Sequence, residues 1–294
     1  MNHKFAGTGV AMVTPFNENL EIDYEALEKL IEHLISNNVS YLVVLGTTGE
    51  SVTQTDEEKD DLVNFIKRKV NHRIPLVLGI GGNDTQSIVN KIHNTDFNQI
   101  DAILSVAPYY NKPTQEGLYQ HFKTIAQASP VPVILYNVPG RTGSNIQAKT
   151  TLQLAHDFKN IVAIKEASGD FSQAMEIIKH KPSNFVVISG EDALTLPLMS
   201  IGVSGVISVV GNAFPKEFST MVQLALNNNY PEAQEIQYQL IELIDYLFIE
   251  GNPSGVKAAL THMGIIKNKL RLPLVPVSEE TNSKISELIK KIQQ

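Results

Sequence analysis

Lys165 ends a run of apolar residues, Ile161–Lys165, that has the composition of a buried β-strand. Lysine is rarely buried without a partner, so a strand that ends in this way calls for an explanation. Burial disfavours the charged form of an amine, and a neutral lysine nitrogen can attack a ketone to form a Schiff base. A structural interpretation is also open, in which the side chain extends to solvent or pairs with the adjacent Glu166.

A second candidate is the turn Gly46–Ser51, which reads Gly-Thr-Thr-Gly-Glu-Ser and follows another apolar run. The hydroxyls of Thr47 and Thr48 stand between two glycines, the second of which is Gly49. Such a turn lets hydroxyl and backbone N–H groups converge on a carboxylate. An ordinary Gly/Thr turn without a ligand explains the same residues equally well.

Two tyrosine-bearing segments complete the candidates. Tyr136 stands near the end of the run Pro132–Asn137, where it could transfer protons, and Arg141 could bind a carboxylate with two N–H groups. A core tyrosine and a solvated arginine are equally consistent with this pattern. Tyr109 and Tyr110 lie in a proline-bounded loop that suits a subunit interface as well as a site.

The composition excludes several kinds of chemistry. The 294 residues include no cysteine, so disulfides, thiol nucleophiles and thiolate metal sites are ruled out. The eight histidines are scattered and form no ligand-spaced pair, which disfavours a metal-dependent enzyme. The glycines at 79, 81 and 82 lack the spacing of a dinucleotide-binding loop.

Charge and hydropathy limit the partners and the location. A formal net charge of −7 argues against a nucleic-acid or anionic-membrane surface. No apolar run approaches the ~20 residues that span a bilayer, and the first residues lack the apolar core of a signal peptide. We therefore expect a cytoplasmic protein that binds neither nucleic acid nor membrane.

The candidate residues follow apolar runs that predict the fold. Continuous apolar runs are typical of strands covered on both faces, as in a parallel sheet. Eight such strands, separated by helical patterns, favour a closed α/β barrel, the (β/α)8 TIM barrel, over an open doubly wound sheet. The eight runs are Thr8–Val13, Tyr41–Leu45, Pro75–Ile80, Asp101–Val106, Pro132–Asn137, Ile161–Lys165, Phe185–Ser189 and Gly205–Val209.

Periodic segments between the runs predict helices. Asp23 can cap a helix over the apolar face of residues 27–35, and Thr55 with Glu58 has capping-box spacing before a helix over Asp56–Val70. Further helices are predicted over Gln115–Gln127, Gln147–His156, Asp170–His180 and Glu191–Ser200. After the eighth run, amphipathic faces recur near residues 233–247 and 285–292. We therefore divide the chain into a barrel, residues 1–214, and C-terminal helices packed on it, residues 215–294.

These motifs occur together and in order along nearly the whole chain. They are GTTGES at 46–51, APYYNKPTQEGLYQHF at 107–122, LYNVPGRTG at 135–143, IKEAS at 164–168, SGED at 189–192 and GVISV at 205–209. The set resembles the dihydrodipicolinate synthase (4-hydroxy-tetrahydrodipicolinate synthase) family of the pyruvate-dependent class I aldolases. The resemblance implies condensation of pyruvate with L-aspartate 4-semialdehyde to 4-hydroxy-tetrahydrodipicolinate, on the route to diaminopimelate and lysine.

The resemblance also implies roles for individual residues. Lys165 would form the imine with pyruvate, so that no added cofactor and no metal is expected. Thr47, Tyr110 and Tyr136 would relay protons, with Tyr110 supplied by a neighbouring subunit of a homodimer or homotetramer. The remaining site residues would contact substrate. Thr48 and Gly49 would bind the pyruvate carboxylate, and Arg141 would bind the carboxylate of the semialdehyde. Gly190 and Ile207 would line the site around Lys165.

Three alternatives remain at this stage. N-acetylneuraminate lyases share the lysine, the tyrosine and the glycine turn but generally lack an arginine where Arg141 stands. A barrel that binds a ligand without turnover and a metal-dependent lyase are the others.

The resemblance also bears on feedback inhibition by lysine. The family's inhibited members often carry histidine and glutamate where this chain has Asp56, Lys59 and Ser87, whereas Ser51, Asn83 and Tyr109 fit the effector site. We therefore expect weak or absent inhibition by lysine.

Overall fold

A computed structural model of the chain describes residues 3–293. Its eight parallel strands pair each with the next, and the eighth pairs with the first, so the sheet is a closed barrel. The predicted (β/α)8 barrel is confirmed. The strands are β1 (Gly7–Ala11), β2 (Tyr41–Val44), β3 (Leu76–Gly79), β4 (Ala102–Val106), β5 (Val133–Asn137), β6 (Ile161–Glu166), β7 (Val186–Ser189) and β8 (Gly205–Ser208).

Each strand lies where an apolar run predicts it, and only the ends differ. The largest difference is at β1, which ends at Ala11 rather than Val13. The Val13 N–H donates to the side-chain oxygen of Asn212 at 3.1 Å instead of to a strand. At β2, Leu45 has a positive φ of 58°, which ends the extended conformation one residue early.

The helices are α1 (Tyr24–Ser36), α2 (Asp56–Val70), α3 (Thr85–Asn94), α4 (Gln115–Ala128), α5 (Pro139–Thr142), α6 (Ala148–Asp157), α7 (Phe171–His180), α8 (Thr195–Ser200), α9 (Pro215–Leu226), α10 (Tyr230–Phe248), α11 (Ser254–His262) and α12 (Glu279–Ile292). The predicted caps are present, because the Asp23 side chain accepts from Ala26 N and Thr55 forms a capping box with Glu58. Helices α3, α5, α9 and α11 were not predicted as separate elements.

The prediction of one continuous helix over Glu191–Ser200 is wrong. Glu191 is extended, a 3₁₀ turn follows at Asp192–Leu194, and α8 begins only at Thr195. The Asp192 carboxylate accepts the N–H groups of Val209 and Val210 at 2.9 and 2.7 Å. This link to the end of β8 holds the segment in a conformation that a regular helix does not allow.

A hydrophobic core lies on each face of the sheet, one inside the barrel and one between the strands and the helices. Near the amino-terminal ends of the strands, Tyr41 and Phe5 lie inside, with ring centroids 5.7 Å apart in an edge-on contact. Gly9 makes room for this filling, since a Cβ there would lie 2.1 Å from the Tyr41 ring. The interior is therefore filled at this end, and open space is left at the other.

The predicted C-terminal helical extension is present. Helices α10, α11 and α12 pack against one another, and α9 packs against β1, β8 and α10. Most residues of the predicted apolar faces are buried: Ala233, Leu240, Ile244 and Leu247 on α10, and Ile285, Leu288 and Ile289 on α12. The other two, Ile236 and Ile292, are partly buried and pack against the same core. The domain division between residues 214 and 215 stays a prediction. Within residues 3–293, no helix is both long and apolar enough to cross a bilayer.

Candidate active site

Lys165 and Tyr136 are neighbours across the β5–β6 pair. Val133 pairs with Ile161, but Ile134 pairs with Ala163, so that Val162 is an extra residue on β6. This irregularity shifts the register by one residue, and a shift of one exchanges the residues that face the two sides of a sheet. Because of it, Lys165 rather than Ile164 stands beside Tyr136, and its Nζ lies 4.4 Å from the centroid of the Tyr136 ring.

A cavity of about 400 Å³ opens at the carboxyl ends of the strands, within the range that holds a small substrate. Six of the nine predicted site residues line it: Thr47, Thr48, Tyr136, Arg141, Lys165 and Gly190. The chain thus brings together side chains from the ends of β2, β5, β6 and β7. This end of a (β/α)8 barrel is where such folds place their active sites.

The turn after β2 is held rigidly at one edge of the cavity. The carbonyl oxygen of Gly49 accepts from Thr14 Oγ1 at 2.7 Å and from Gln54 Nε2 at 2.6 Å. These bonds anchor the backbone directly after Thr48, which is buried, whereas Thr47 is exposed. Gly49 therefore supports the turn without itself lining the cavity.

Tyr110 lies outside the cavity of its own chain. Its side chain is 89% exposed and its backbone has a positive φ of 73°. The preceding residue, Tyr109, reaches the cavity mouth instead. Tyr110 is therefore exposed, in a backbone conformation that few non-glycine residues adopt.

Gly190 and Ile207 occupy different depths of the barrel. Gly190 lines the cavity directly beside the lysine, since a Cβ there would lie 3.0 Å from Lys165 Cε and 2.5 Å from Ala167 Cβ. Ile207, only 1% exposed, packs in the inner core, and Val209 rather than Ile207 lines the cavity on this side.

Two carboxyl groups stand near the lysine without contacting it. Burial, together with the neighbouring Asp192 carboxylate, raises the pKa of Glu191, while Lys165 and Arg141 oppose that shift. Burial also raises the pKa of Asp192, against the effect of the backbone N–H groups it accepts. Glu191 lines the cavity and was not among the predicted site residues.

Four further cavity residues, in the C-terminal part of the chain, were not predicted. Phe248, Asn252, Pro273 and Leu274 line the cavity, and Asn252 Nδ2 donates to Thr48 Oγ1 at 2.9 Å. The Asn-Pro pair at 252–253 is a common turn signal, so the sequence marks a break between helices there but no site. The end of α10 and the loops that connect the C-terminal helices are thus part of the cavity wall.

Lys165 differs from the two other lysines that are buried in residues 3–293. Lys67 pairs with Asp96 and Lys257 pairs with Glu50, but Lys165, 6% exposed, forms no ion pair within that range. The structural interpretations of Lys165 therefore fail. Its side chain does not reach solvent, and the Glu166 carboxylate instead accepts from Asn137 Nδ2, Gln173 Nε2 and Ser168 N, at 3.0, 2.9 and 2.8 Å respectively.

A closed (β/α)8 barrel whose carboxyl-end cavity holds a lysine with no ion pair within residues 3–293 is the arrangement of a barrel enzyme whose active site lies at the strand ends. The profile of the Dihydrodipicolinate synthetase family matches residues 4–292. The chain belongs to that family.

Individual relatives agree with this assignment. The chain is 54% identical to the 4-hydroxy-tetrahydrodipicolinate synthase of Parabacteroides distasonis over 97% of this chain and 96% of that protein. It is 56% identical to the same enzyme of Azobacteroides pseudotrichonymphae over 96% of each. The crystal structure of dihydrodipicolinate synthase from Aquifex aeolicus superposes with a TM-score of 0.95 at 43% identity, over 98% of each chain. A structure described as the first monomeric dihydrodipicolinate synthase variant superposes with a TM-score of 0.96 at 42% identity, over 99% of this chain and 97% of that one.

Proposed function

We propose that the chain condenses pyruvate with L-aspartate 4-semialdehyde to 4-hydroxy-tetrahydrodipicolinate, through an imine between pyruvate and Lys165. The observation that carries the proposal is Lys165 itself, which lies in the cavity beside Tyr136 and forms no ion pair within residues 3–293. The cavity places this amine where a small keto acid can reach it, and a lysine nitrogen is the group that forms an imine with a ketone.

The reaction follows from the groups around the nitrogen. Lys165 Nζ attacks the keto carbon of pyruvate, and loss of water gives the imine. Removal of a methyl proton gives an enamine, whose carbon attacks the aldehyde of the second substrate. The amino group of that substrate then closes the ring by attacking the imine carbon, which releases Lys165. The protein's amine acts as the electron sink, so the proposal needs neither a metal nor an added cofactor.

Proton transfer is assigned to hydroxyl groups. Tyr136 lies against the lysine, and Thr47 is exposed at the cavity edge. We assign the third hydroxyl to Tyr110 of a second copy of the chain, since Tyr110 points away from its own cavity. A homo-oligomer, dimer or tetramer, follows from this assignment. We further propose that the enzyme is cytoplasmic.

Substrate carboxylates are assigned to two groups of donors. Thr48, supported by Gly49, would bind the carboxylate of pyruvate, and Arg141 at the cavity mouth would bind that of the semialdehyde. Gly190 leaves room beside the lysine for the imine. Ile207 is 1% exposed and would act through the inner core below the cavity.

Borohydride trapping tests the proposal. Reduction in the presence of pyruvate is expected to add one pyruvate-derived mass to the peptide that contains Lys165, and Lys165→Ala is expected to lose turnover by at least ~10³-fold. Lys67→Ala, which removes another buried lysine, is the matched control and keeps the label. Unlabelled Lys165 would overturn the enzyme proposal in favour of a ligand-binding barrel, and turnover that chelators abolish would favour a metal-dependent lyase.

The second substrate and the subunit assignment need separate measurements. Turnover with aspartate semialdehyde but not with N-acetylneuraminate is expected, and the reverse would move the proposal to the lyase. Mixing Lys165→Ala with Tyr110→Phe subunits is expected to restore about a quarter of wild-type activity, because half of randomly mixed dimers hold one intact site of two. If the Lys165→Ala and Tyr110→Phe proteins stay inactive after mixing, Tyr110 acts in the site of its own chain or in no active site.

A further inference from the structure

Asn252 brings an amide from the C-terminal helices to the turn after β2. It lies between α10 and α11, and its Nδ2 donates to Thr48 Oγ1 at 2.9 Å. The two side chains are 7% and 3% exposed, and both line the central cavity. A contact between residues 204 positions apart, at the wall of the cavity, is built by the fold and not by local sequence.

The direction of this hydrogen bond sets what Thr48 can do. A threonine hydroxyl carries one hydrogen and two lone pairs. Because the amide N–H occupies a lone pair of Oγ1, the hydroxyl hydrogen must be given to a different acceptor. Within residues 3–293, the Thr48 hydroxyl donates to no protein group, so its hydrogen is free for an acceptor in the cavity.

Asn252 itself is only half satisfied. Its Oδ1 is buried and has no hydrogen-bond partner among the described residues. A buried amide that serves the fold alone normally has partners at both ends, since an unsatisfied buried acceptor costs stability. The amide is therefore retained at the cavity wall for the hydrogen bond that its Nδ2 donates, although the unsatisfied Oδ1 lowers the stability of the fold.

We propose that Asn252 is a positioning residue that fixes the Thr48 hydroxyl as a hydrogen-bond donor toward the carboxylate of the keto-acid substrate. The inference rests on the proposed function, because it needs a substrate carboxylate at Thr48. It adds a residue of the C-terminal helices to the machinery that selects the first substrate. Asn252 acts through Thr48 and does not touch the reacting carbon.

The surrounding structure keeps Asn252 in place. Five residues further on, Lys257 forms a buried ion pair with Glu50, two residues after Thr48. Ser254 Oγ also donates to the carbonyl oxygen of Val275 at 2.8 Å. The segment that carries Asn252 is therefore attached to the same turn at a second point, which holds the distance between the amide and the hydroxyl.

The test measures how much pyruvate half-saturates borohydride labelling of Lys165. Asn252→Ala is expected to raise that concentration about tenfold, with full labelling still reached at high pyruvate, because the hydroxyl loses its fixed direction. Asn252→Asp is expected to raise it further, since a carboxylate accepts from Thr48 and repels the substrate carboxylate. Asn160→Ala is the matched control, because Asn160 lies before β6, away from the cavity, where its amide donates to Ala126 O.

A double-mutant cycle separates positioning from a general loss of structure. In a Thr48→Val background, Asn252→Ala is expected to leave the half-saturating concentration nearly unchanged, because the group through which it acts is already gone. Equal and independent effects in both backgrounds would overturn the inference, and so would an Asn252→Ala protein that matches wild type. If Asn252→Ala fails to fold, Asn252→Leu, which removes the amide without adding a charge, gives the same comparison.

The outcomes also distinguish the two proposals. If wild type gives no pyruvate adduct on Lys165, the proposed function fails. If wild type is labelled and the half-saturating pyruvate concentration is the same in wild type and in the Asn252 variants, only the positioning role fails.

Discussion

Glu50, in the turn after β2, and Lys257, on α11, form an ion pair in which neither side chain reaches solvent. Lys257 Nζ also donates to the carbonyl oxygen of Lys269 at 2.9 Å and lies 4.2 Å from the centroid of the Phe16 ring. Burial lowers the pKa of Lys257 to about 8, although Glu50 opposes the shift. The pair attaches the C-terminal helices to the turn that carries Thr47 and Thr48.

Breaking this pair is expected to destabilise the fold strongly. Glu50→Gln leaves a buried ammonium without its counter-charge and should lower the free energy of unfolding by about 3–5 kcal/mol. Lys257→Met should cost a similar amount, while the double variant should be less destabilised than the sum of the two. Urea unfolding followed by circular dichroism measures this, with Lys284→Met, on the surface, as the control. Additive losses would show that the two charges do not stabilise each other.

Gly190→Ala is expected to impair imine formation more than stability. The new Cβ would stand 2.5 Å from Ala167 Cβ and 3.0 Å from Lys165 Cε, so the lysine side chain must move. Displacing a nucleophile by about 1 Å costs on the order of 10²-fold in rate. Gly140→Ala is the control, since a Cβ there meets no atom within 4 Å. An unchanged rate of borohydride labelling in Gly190→Ala would contradict the assigned geometry.

Arg141→Ala is expected to affect the second substrate and not the first. Arg141 lines the cavity and is exposed, whereas Lys165 is buried. Loss of a bidentate carboxylate contact should raise KM for the semialdehyde ~10- to 100-fold, while half-saturation of Lys165 labelling by pyruvate stays the same. Arg141→Lys should recover part of the loss. Weaker pyruvate labelling in Arg141→Ala would assign the arginine to the first carboxylate.

His121 is expected to make the fold sensitive to mild acid. Its ring is 5% exposed, Nδ1 lies 2.8 Å from Thr85 Oγ1, and burial lowers the pKa from 6.5 to about 4. Between these two values the unfolded chain binds a proton that the folded chain does not. Stability should therefore fall as pH decreases through that window, by at most roughly 3 kcal/mol.

Comparison with a variant isolates the contribution of this histidine. His121→Asn should unfold with a free energy that changes less between pH 7 and pH 4, whereas the exposed His93→Gln should follow wild type. Equal slopes for His121→Asn and wild type would mean that other groups cause the acid sensitivity.

Lysine is expected to inhibit weakly or not at all. At two positions that the family resemblance assigns to the effector site, Lys59 Nζ lies 3.2 Å from Asp56 Oδ1, and Lys91, which is not one of those positions, lies 3.4 Å from the same oxygen. The added ammonium group of Lys59 repels a cationic effector, and Ser87 offers no carboxylate to bind its amino group. Activity should remain above half at about 1 mM lysine, which corresponds to ~4 kcal/mol of binding free energy. A Lys59→His/Ser87→Glu variant should become more sensitive, and half-inhibition of wild type below that concentration would refute the prediction.

The barrel was readable from the sequence because its strands are buried on both faces. Runs such as Ile161–Lys165 are apolar throughout, and this signal survives without any knowledge of the partners. The sequence did not predict the ends of the strands as well. The first strand ends before Val13, because the Val13 N–H donates to the side chain of Asn212, far along the chain. The broken helix at Glu191–Ser200 has a similar origin, because Asp192 binds backbone groups at the end of β8.

The sequence by itself determined the fold class, the family and the candidate residues at strand ends, because these depend on local composition and on ordered motifs. Only the tertiary structure decided which of them meet. The extra residue Val162 sets Lys165 beside Tyr136, and Asn252 and Lys257 reach the turn at 46–51 from about 200 residues away. Register shifts and long-range contacts depend on how elements pack, and no local pattern of residue types encodes that packing.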